Sequence, residues 1–134
     1  MNVLVDTSVW SLALRRDRPT DDALVREFAE LIDEQRVVMI GPVRQELLSG
    51  IRNPAQFDRL SGHLRDFPDL VLTEADYERA AEFFNLCRSL GVQGSNTDFL
   101  ICAVAANRHL AILTADQDFV LFAEHLPIHF QQVR

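Results

Sequence analysis

Short apolar runs that stop abruptly near acidic residues constrain the fold of this chain more than any other feature. Residues 2–5 (Asn-Val-Leu-Val) end at Asp6, and Ala111–Leu113 is followed closely by Asp116. Residues 37–40 form a third run of the same kind, which a Gly-Pro pair breaks. Apolar runs without alternation are typical of strands in a parallel sheet that is covered on both faces. These runs therefore predict the central strands of such a sheet.

Helical patterns occupy the segments between the apolar runs. Apolar residues recur there at helical spacing, and glycine or proline marks several of the ends. The predicted helices cover residues 9–15, 21–32, 42–49, 54–64, 74–90, 97–107 and 116–124, and residues 70–72 and 128–130 are predicted as further short strands. This order predicts a single α/β domain over residues 1–134, with three layers, α/β/α, around a mostly parallel sheet.

Small polar residues mark the predicted helix starts, because their side chains can cap the unpaired backbone N–H groups of a first turn. Thr7 or Ser8 is predicted to cap the first helix, and Thr20 is predicted to cap the second. Asp21 and Asp22 would then lie in the first turn of the second helix, where acids complement the helix dipole.

The charge of the chain argues against a simple basic nucleic-acid-binding protein. The formal net charge is -7, and all 13 basic residues are arginine. Phosphate binding usually requires a basic face. A chain this acidic is expected to meet phosphate only where its acids gather around cations.

Neither the N-terminus nor the cysteines indicate a secreted or membrane protein. The N-terminus lacks the basic start and apolar stretch of a signal peptide, and no segment is apolar over a length that spans a bilayer. Cys87 and Cys102 lie in apolar helical patterns and form neither a zinc spacing nor a disulfide framework. We therefore expect a cytoplasmic protein without a membrane partner.

Acidic residues stand where a parallel sheet is expected to bind its ligand, beyond the carboxyl ends of the strands. Asp6 and Asp116 follow the first and last buried runs, and Glu46 lies on the helix after the second. Asp98 falls in the first turn of a strongly apolar helix, whose start is expected at the same edge. Asp118 is a further candidate, as an acid that supports the ligands, as a minor ligand or as a cap for the last helix.

Each acid also has a purely structural interpretation. Asp6 could cap the helix that follows it, and Asp98 could complement the dipole of its own helix. Glu46 could be solvated, or paired with Arg44 or Arg52. The case for a functional site therefore depends on all four acids meeting at one edge.

Four carboxylates that converge without a cation would repel one another and raise one another's pKa values. Oxygen ligands of this kind select Mg²⁺ or Mn²⁺ rather than zinc, and the histidines of this chain are scattered. One or two such ions suit hydrolysis of a phosphodiester bond by a metal-activated water. Thr114, between the last strand and Asp116, is expected to position the site through its hydroxyl group.

The same segments resemble the motifs of PIN-domain nucleases. The opening Val-Leu-Val-Asp-Thr-Ser-Val-Trp resembles their first strand, and the order of the later motifs matches over essentially the whole chain. The compact form resembles the toxin of a VapBC toxin–antitoxin pair. The segments that carry the resemblance are residues 3–10, 42–50, 97–103 and 113–119.

The resemblance implies the PIN fold and endonucleolytic cleavage of RNA, such as tRNA or rRNA, with Mg²⁺ or Mn²⁺ as cofactor. It also implies a homodimer and a cognate antitoxin protein that blocks the site. The residues that it assigns to catalysis and metal binding are Asp6, Glu46, Asp98 and Asp116.

Four further residues are expected to assist. Thr7 and Thr114 would support the acidic cluster through their hydroxyl groups. Arg15 and Arg16, beside the expected site, could contact RNA phosphate or an acidic group of the antitoxin, or could form a merely solvated face.

Three other classes of protein share parts of this pattern. Phosphoryl-accepting receiver domains and haloacid-dehalogenase-like phosphatases both use a lysine, and this chain has none. The phosphatases also require a second aspartate at the position of Ser8. The third class, a catalytically inactive PIN-like module that binds RNA or protein, stays open as the alternative, although the retention of all four acids argues against it.

Overall fold

The computed structural model describes residues 1–15 and 22–134. The elements of these ranges, in chain order, are β1 (Val3–Val5), α1 (Thr7–Leu14), α2 (Ala23–Asp33), β2 (Val37–Val38), α3 (Gly41–Leu48), α4 (Pro54–Leu64), α5 (Glu74–Ser89), α6 (Asn96–Arg108), β3 (Ala111–Leu113) and α7 (Asp118–Ala123).

The three strands form one sheet in the order β2-β1-β3, and both pairs are parallel. Val3 is level with Val37 on one side and with Ala111 on the other. The central strand β1 is fully buried, as its continuous apolar sequence predicts. The predicted α/β architecture, a parallel sheet flanked by helices, is confirmed.

Helix α6 is the most deeply buried helix of the described residues. Its residues 99–105 are all buried, because apolar side chains surround the helix instead of lining one face. It packs along α5 and against β3. Trp10, on α1, is also in the core, where its ring packs edge-on against Phe28 and Phe67. None of the described helices combines the length and the apolar character needed to cross a membrane.

Two predicted strands are wrong. No residue from 70 to 72 lies in a strand or bridge; the residue before them, Asp69, forms an isolated parallel bridge with Met39. In the second segment, Phe130 forms only an isolated parallel bridge with Ile112. Val71 is 78% exposed, so the first segment has no second face to bury. In the second segment, Phe130 is 37% exposed at the edge of the sheet. Neither segment gains the burial that extends a single bridge into a strand.

Three helix starts also differ from the prediction by two residues. Helix α1 begins at Thr7, so that Asp6 is the N-cap residue, although its side chain makes no capping hydrogen bond. Asp22 does not lie in the first turn of α2: it is the N-cap, and its carboxylate accepts the N–H of Leu24 at 2.8 Å. The predicted cap Thr20 and its neighbour Asp21 lie outside the described residues. Helix α7 begins at Asp118 rather than at residue 116.

Candidate active site

Parallel pairing of β1 with β3 brings their carboxyl ends side by side. The two strands are in register from Val3 to Val5, and the N–H of Asp6 continues the ladder to the carbonyl of Leu113 at 2.9 Å. The residues that follow each strand, Asp6 and Thr114, are therefore neighbours, as parallel-sheet geometry requires.

Two hydroxyl groups hold the carboxylate of Asp6, which is only 5% exposed. Its Oδ2 atom accepts hydrogen bonds from the hydroxyls of Ser8 at 2.7 Å and Thr114 at 2.8 Å. The same hydroxyl oxygens accept the backbone N–H groups of Ala115 and Asp116, both at 3.0 Å. The two hydroxyls thus join the end of β1 to the loop that carries Asp116.

Ser8 is a site residue that sequence reasoning missed. The sequence predicts Ser8 only as a candidate helix cap, because a small polar residue beside a predicted helix start usually has that role. Its spacing carried a signal, however, since a residue two positions after Asp6 in the first turn of α1 can turn back toward the strand end.

The start of α6 positions Asp98. The hydroxyl of Ser95 accepts the N–H of Asp98 at 3.1 Å, and Oδ2 of Asp98 accepts the N–H of Ser95 at 3.0 Å. This reciprocal pair is a capping box. Gly94 precedes it where a Cβ atom would lie 2.6 Å from the ring of Phe122, so the approach to the cap requires glycine.

Asp6 and Asp116 are close enough to Asp98 to act on it electrostatically. Burial raises the pKa of Asp98 above its usual value, and the negative charges of Asp6 and Asp116 raise it further. Hydrogen bonds from Ser95 offset only part of this effect. The expected convergence of α6 on the strand ends is thus present in the structure.

Glu46 approaches the same edge from α3. The hydroxyl of Thr7 donates to its Oε1 atom at 2.7 Å, so the residue next to Asp6 contacts the residue on α3. Glu46 and Thr7 line one cleft with Thr97, the neighbour of Asp98. The alternative pairing of Glu46 with Arg44 is wrong, since Arg44 pairs with Asp69 at 2.9 Å.

Asp116 and Asp118 lie on the loop after β3 and at the start of α7. Oδ1 of Asp116 accepts the N–H of Asp118 at 2.9 Å. Asp118 is exposed and lies in the first turn of α7, where an acid suits the helix dipole. Asp116 is partly buried, and its negative charge contributes to the raised pKa of Asp98.

The four acids share a pattern of hydrogen bonding. In each carboxylate, a hydroxyl or a backbone N–H contacts one oxygen, and no hydrogen bond from the described residues reaches the other. None of the four forms a salt bridge within residues 1–15 and 22–134. One oxygen of each carboxylate is therefore available to a cation that prefers oxygen ligands, such as Mg²⁺ or Mn²⁺.

The acids nevertheless do not close around one point. No group of three or more His, Cys, Asp or Glu side chains in the described part of the chain is arranged to hold a metal ion as it stands.

Comparison with known proteins decides the family. Residues 3–124 match the model of the PIN domain. The chain belongs to the PIN-domain family. Within this family it is 30% identical to the VapC ribonuclease Mb1587 of Mycobacterium bovis over 125 residues, which are 90% of this chain and 91% of that protein.

A second relative of this PIN domain is the ribonuclease VapC6 of Mycobacterium tuberculosis, 33% identical over 73% of this chain and 80% of that one. Among solved structures, VapBC2 from Rickettsia felis, bound to a DNA fragment from its promoter, matches 98% of both chains. Its TM-score is 0.76 at 15% sequence identity, which supports the fold.

One of the two arginines considered for partner contacts can be placed in this PIN domain. Arg15 is exposed at the end of α1 and lines a groove of about 530 Å³ between α1, α3 and α4, together with Arg59 and His63. Leu14 and Leu47 give the groove an apolar part. Arg16 lies outside the described residues.

Proposed function

We propose that this protein is a metal-dependent endoribonuclease and the toxin of a type II toxin–antitoxin system. One observation carries the proposal: four acids meet at one edge of the sheet, where neutral donors hold one oxygen of each carboxylate and no described cation pairs with any of them. The names of its relatives, VapC ribonucleases, supply the substrate class.

Asp6 and Asp98 are the proposed principal ligands of Mg²⁺ or Mn²⁺, and Glu46 and Asp116 complete the set, with Asp118 as a possible additional ligand. A divalent ion bound there would offset the negative charge of the cluster, attract the RNA phosphate and lower the pKa of a water molecule.

The chain's own residues orient this set. Ser8 and Thr114 fix the rotation of the Asp6 carboxylate through Oδ2, which directs the other oxygen away from the two hydroxyls. Thr7 does the same for Glu46, and the cap of α6 does so for Asp98. Such fixed outer contacts typically change metal affinity or activity 10- to 100-fold when they are lost.

The proposed partners follow from the relatives. Solved neighbours of the same fold are described as VapBC assemblies, so we propose a cognate antitoxin that covers the acidic edge. The groove beside Arg15 offers it apolar and basic contacts. A homodimer and an RNA substrate of the tRNA or rRNA class in the cytoplasm complete the proposal.

Cleavage of total cellular RNA by the purified protein tests this function. The reactions contain Mg²⁺, Mn²⁺ or EDTA, with Asp98→Asn as the site variant and Asp58→Asn, an exposed acid on α4, as the charge-matched control. Discrete products that require metal, persist in Asp58→Asn and disappear in Asp98→Asn are expected. Products that survive in EDTA or in Asp98→Asn would contradict the mechanism.

The alternative is a PIN-like module that binds RNA or protein without cleaving. It predicts that no metal and no RNA preparation gives products, while the protein still binds its partner. Binding of an antitoxin together with retained cleavage by the free protein would exclude it.

A further inference from the structure

A second groove lies beside the acidic edge, between α5 and α6. Tyr77, Phe84 and Asn85 form its α5 side, Asn96 and Thr97 its α6 side, and Pro42 also lines it; we name it the α5–α6 groove. Its volume is about 440 Å³, and most of its surface is apolar.

The groove continues into the candidate active site. Pro42 and Thr97 line both the α5–α6 groove and the cleft that contains Glu46 and Thr7. Thr97 is also the residue before Asp98. A polymer that crosses the acids in this direction would therefore enter the α5–α6 groove with its next unit.

The charge of the two sites differs. The cleft contains Glu46 and is lined by Thr7 and Thr97, the sequence neighbours of Asp6 and Asp98, whereas every residue that lines the α5–α6 groove is uncharged. A phosphate gains nothing from a neutral groove in a chain of net charge -7. The base of a nucleotide is neutral and does not require a positive charge, and a base commonly stacks on an aromatic side chain.

The side chains in the α5–α6 groove have the chemistry that a base requires. Tyr77 is 54% exposed, so its ring is available for stacking, and Phe84 packs edge-on against Phe99 at 5.5 Å to form a fixed wall. Asn85 and Asn96 are exposed, and neither side-chain amide makes a hydrogen bond within the described part of the chain. An amide offers both a donor and acceptors to the edge of a base.

We propose that the α5–α6 groove binds one base of single-stranded RNA next to the cleaved phosphate, with Tyr77 as the stacking residue and Asn85 and Asn96 as contacts to the base edge. This inference rests on the proposed ribonuclease function, which it deepens. It provides an acidic protein with affinity for RNA that does not depend on phosphate attraction.

Nuclear magnetic resonance of the intact, ion-free protein tests the groove without requiring cleavage. Adenosine and uridine serve as probes, and ribose 5-phosphate serves as the probe that lacks a base. The nucleosides are expected to shift the side-chain amide signals of Asn85 and Asn96, and ribose 5-phosphate is expected to leave them unchanged. Absence of nucleoside shifts at both amides, or equal shifts with ribose 5-phosphate, would overturn the proposal.

Variants of Tyr77 sharpen the test. Tyr77→Ala should weaken nucleoside binding about tenfold, since loss of one base–aromatic stack has an effect of this order. Tyr77→Phe keeps the ring and should bind as the parent does. Leu86→Ala is the control: Leu86 is 44% exposed on the same helix and does not line the groove.

Two more measurements separate this inference from its alternatives. Where RNA is cleaved, Tyr77→Ala should raise KM about tenfold and leave kcat within about twofold. Nucleoside shifts in a protein that cleaves no RNA would retain the groove and reject the nuclease. Sedimentation that shows a dimer for the parent and a monomer for Tyr77→Ala, with unchanged nucleoside binding, would assign the groove to contact between two copies and overturn the proposal.

Discussion

Two groups of acids in this chain have opposite surroundings. Asp76, at the start of α5, is 1% exposed, and Arg108 of α6 pairs with it at 2.5 Å. Glu27 of α2 is 2% exposed, and Arg134 pairs with it at 3.1 Å. By contrast, Asp6 at the sheet edge is buried almost as deeply but contacts only hydroxyl groups.

The pKa values of Asp76 and Asp98 are shifted in opposite directions. Burial alone would raise the pKa of Asp76, but the hydrogen bonds from Asn107, Thr73 and Arg108 outweigh it and hold that pKa below its usual value. For Asp98, burial and the negative charges of Asp6 and Asp116 outweigh the hydrogen bonds from Ser95, and the pKa is raised. Acids that only stabilise the fold have an arginine of their own, whereas the acids at the sheet edge lack a cation from the described chain, which favours a cation from solution.

The largest expected effect is on catalysis and separates the two groups. Asp98→Asn should lower RNA cleavage about 10²–10³-fold, the usual loss when a fixed electrostatic contact to the transition state is removed. The variant should stay folded. Arg108→Ala, which affects the other group, should retain the parent's cleavage rate per folded molecule. Cleavage time courses on RNA measure both, and equal loss in the two variants would remove the distinction.

The free energy of unfolding should change more in Arg108→Ala than in Asp98→Asn, which is the reverse of the order expected for cleavage. Arg108→Ala leaves Asp76 buried without its cation and should cost about 3 kcal/mol of unfolding free energy. Asp98→Asn relieves repulsion and should be neutral or slightly stabilising in the absence of metal. Urea denaturation measures the free energies. Arg65→Ala, an exposed arginine outside any described salt bridge, is the control and should change little.

Replacement of Ser8 should have a smaller effect on metal affinity and cleavage, because Ser8 acts through its hydrogen bond to Asp6. Ser8→Ala should lower Mn²⁺ affinity and cleavage about 10-fold, at the low end of the range for a lost contact to a ligand. Ser8→Thr keeps the hydroxyl and should restore most of the affinity. Calorimetric titration distinguishes this from a loss of stability, because a purely structural Ser8 would change the melting temperature without changing metal affinity.

The smallest expected effect is on how the melting temperature depends on pH. Variants of the two groups should differ from the parent in opposite directions when melting temperature is measured in EDTA between pH 7 and 4. Asp98→Asn should melt above the parent at neutral pH. This advantage should shrink as pH falls through the raised pKa of Asp98 toward 3.8, since protonation then removes the parent's repulsion. Glu27→Gln should melt below the parent instead.

The deficit of Glu27→Gln tests the paired group. Because the pKa of Glu27 is lowered from 4.5, its ion pair stabilises the fold above that pH and is lost only as pH falls further. The deficit should therefore persist to about pH 4.5. Curves of the same sign for the two variants would contradict the assignment of Asp98 to a repulsive cluster.

Local sequence patterns predicted the sheet and the edge at which the acids meet. A parallel strand that ends at an acid fixes the position of Asp6, and the capping sequence Gly-Ser-Asn-Thr-Asp fixes that of Asp98. The role of each acid is still a prediction. The sequence alone could not exclude a strand at residues 70–72, because a strand depends on its partners and on burial of its faces. In the structure, Val71 is exposed.

Local sequence patterns could not predict the polar contacts between residues that are far apart in the chain. The pairing of Asp76 with Arg108 and of Glu27 with Arg134 joins residues far apart in the chain, and no spacing rule relates them. The same holds for the contact of Ser8 with the loop after β3, which exists only because β1 and β3 are adjacent.

Calorimetric titration of Mn²⁺ into the ion-free protein tests the central claim most directly, namely that the acids at the sheet edge take their cation from solution. The parent should bind Mn²⁺, Asp98→Asn should bind at least about tenfold more weakly, and Asp58→Asn should bind as the parent does. Absence of binding at millimolar Mn²⁺ and Mg²⁺, or equal binding by the parent and Asp98→Asn, would contradict the account.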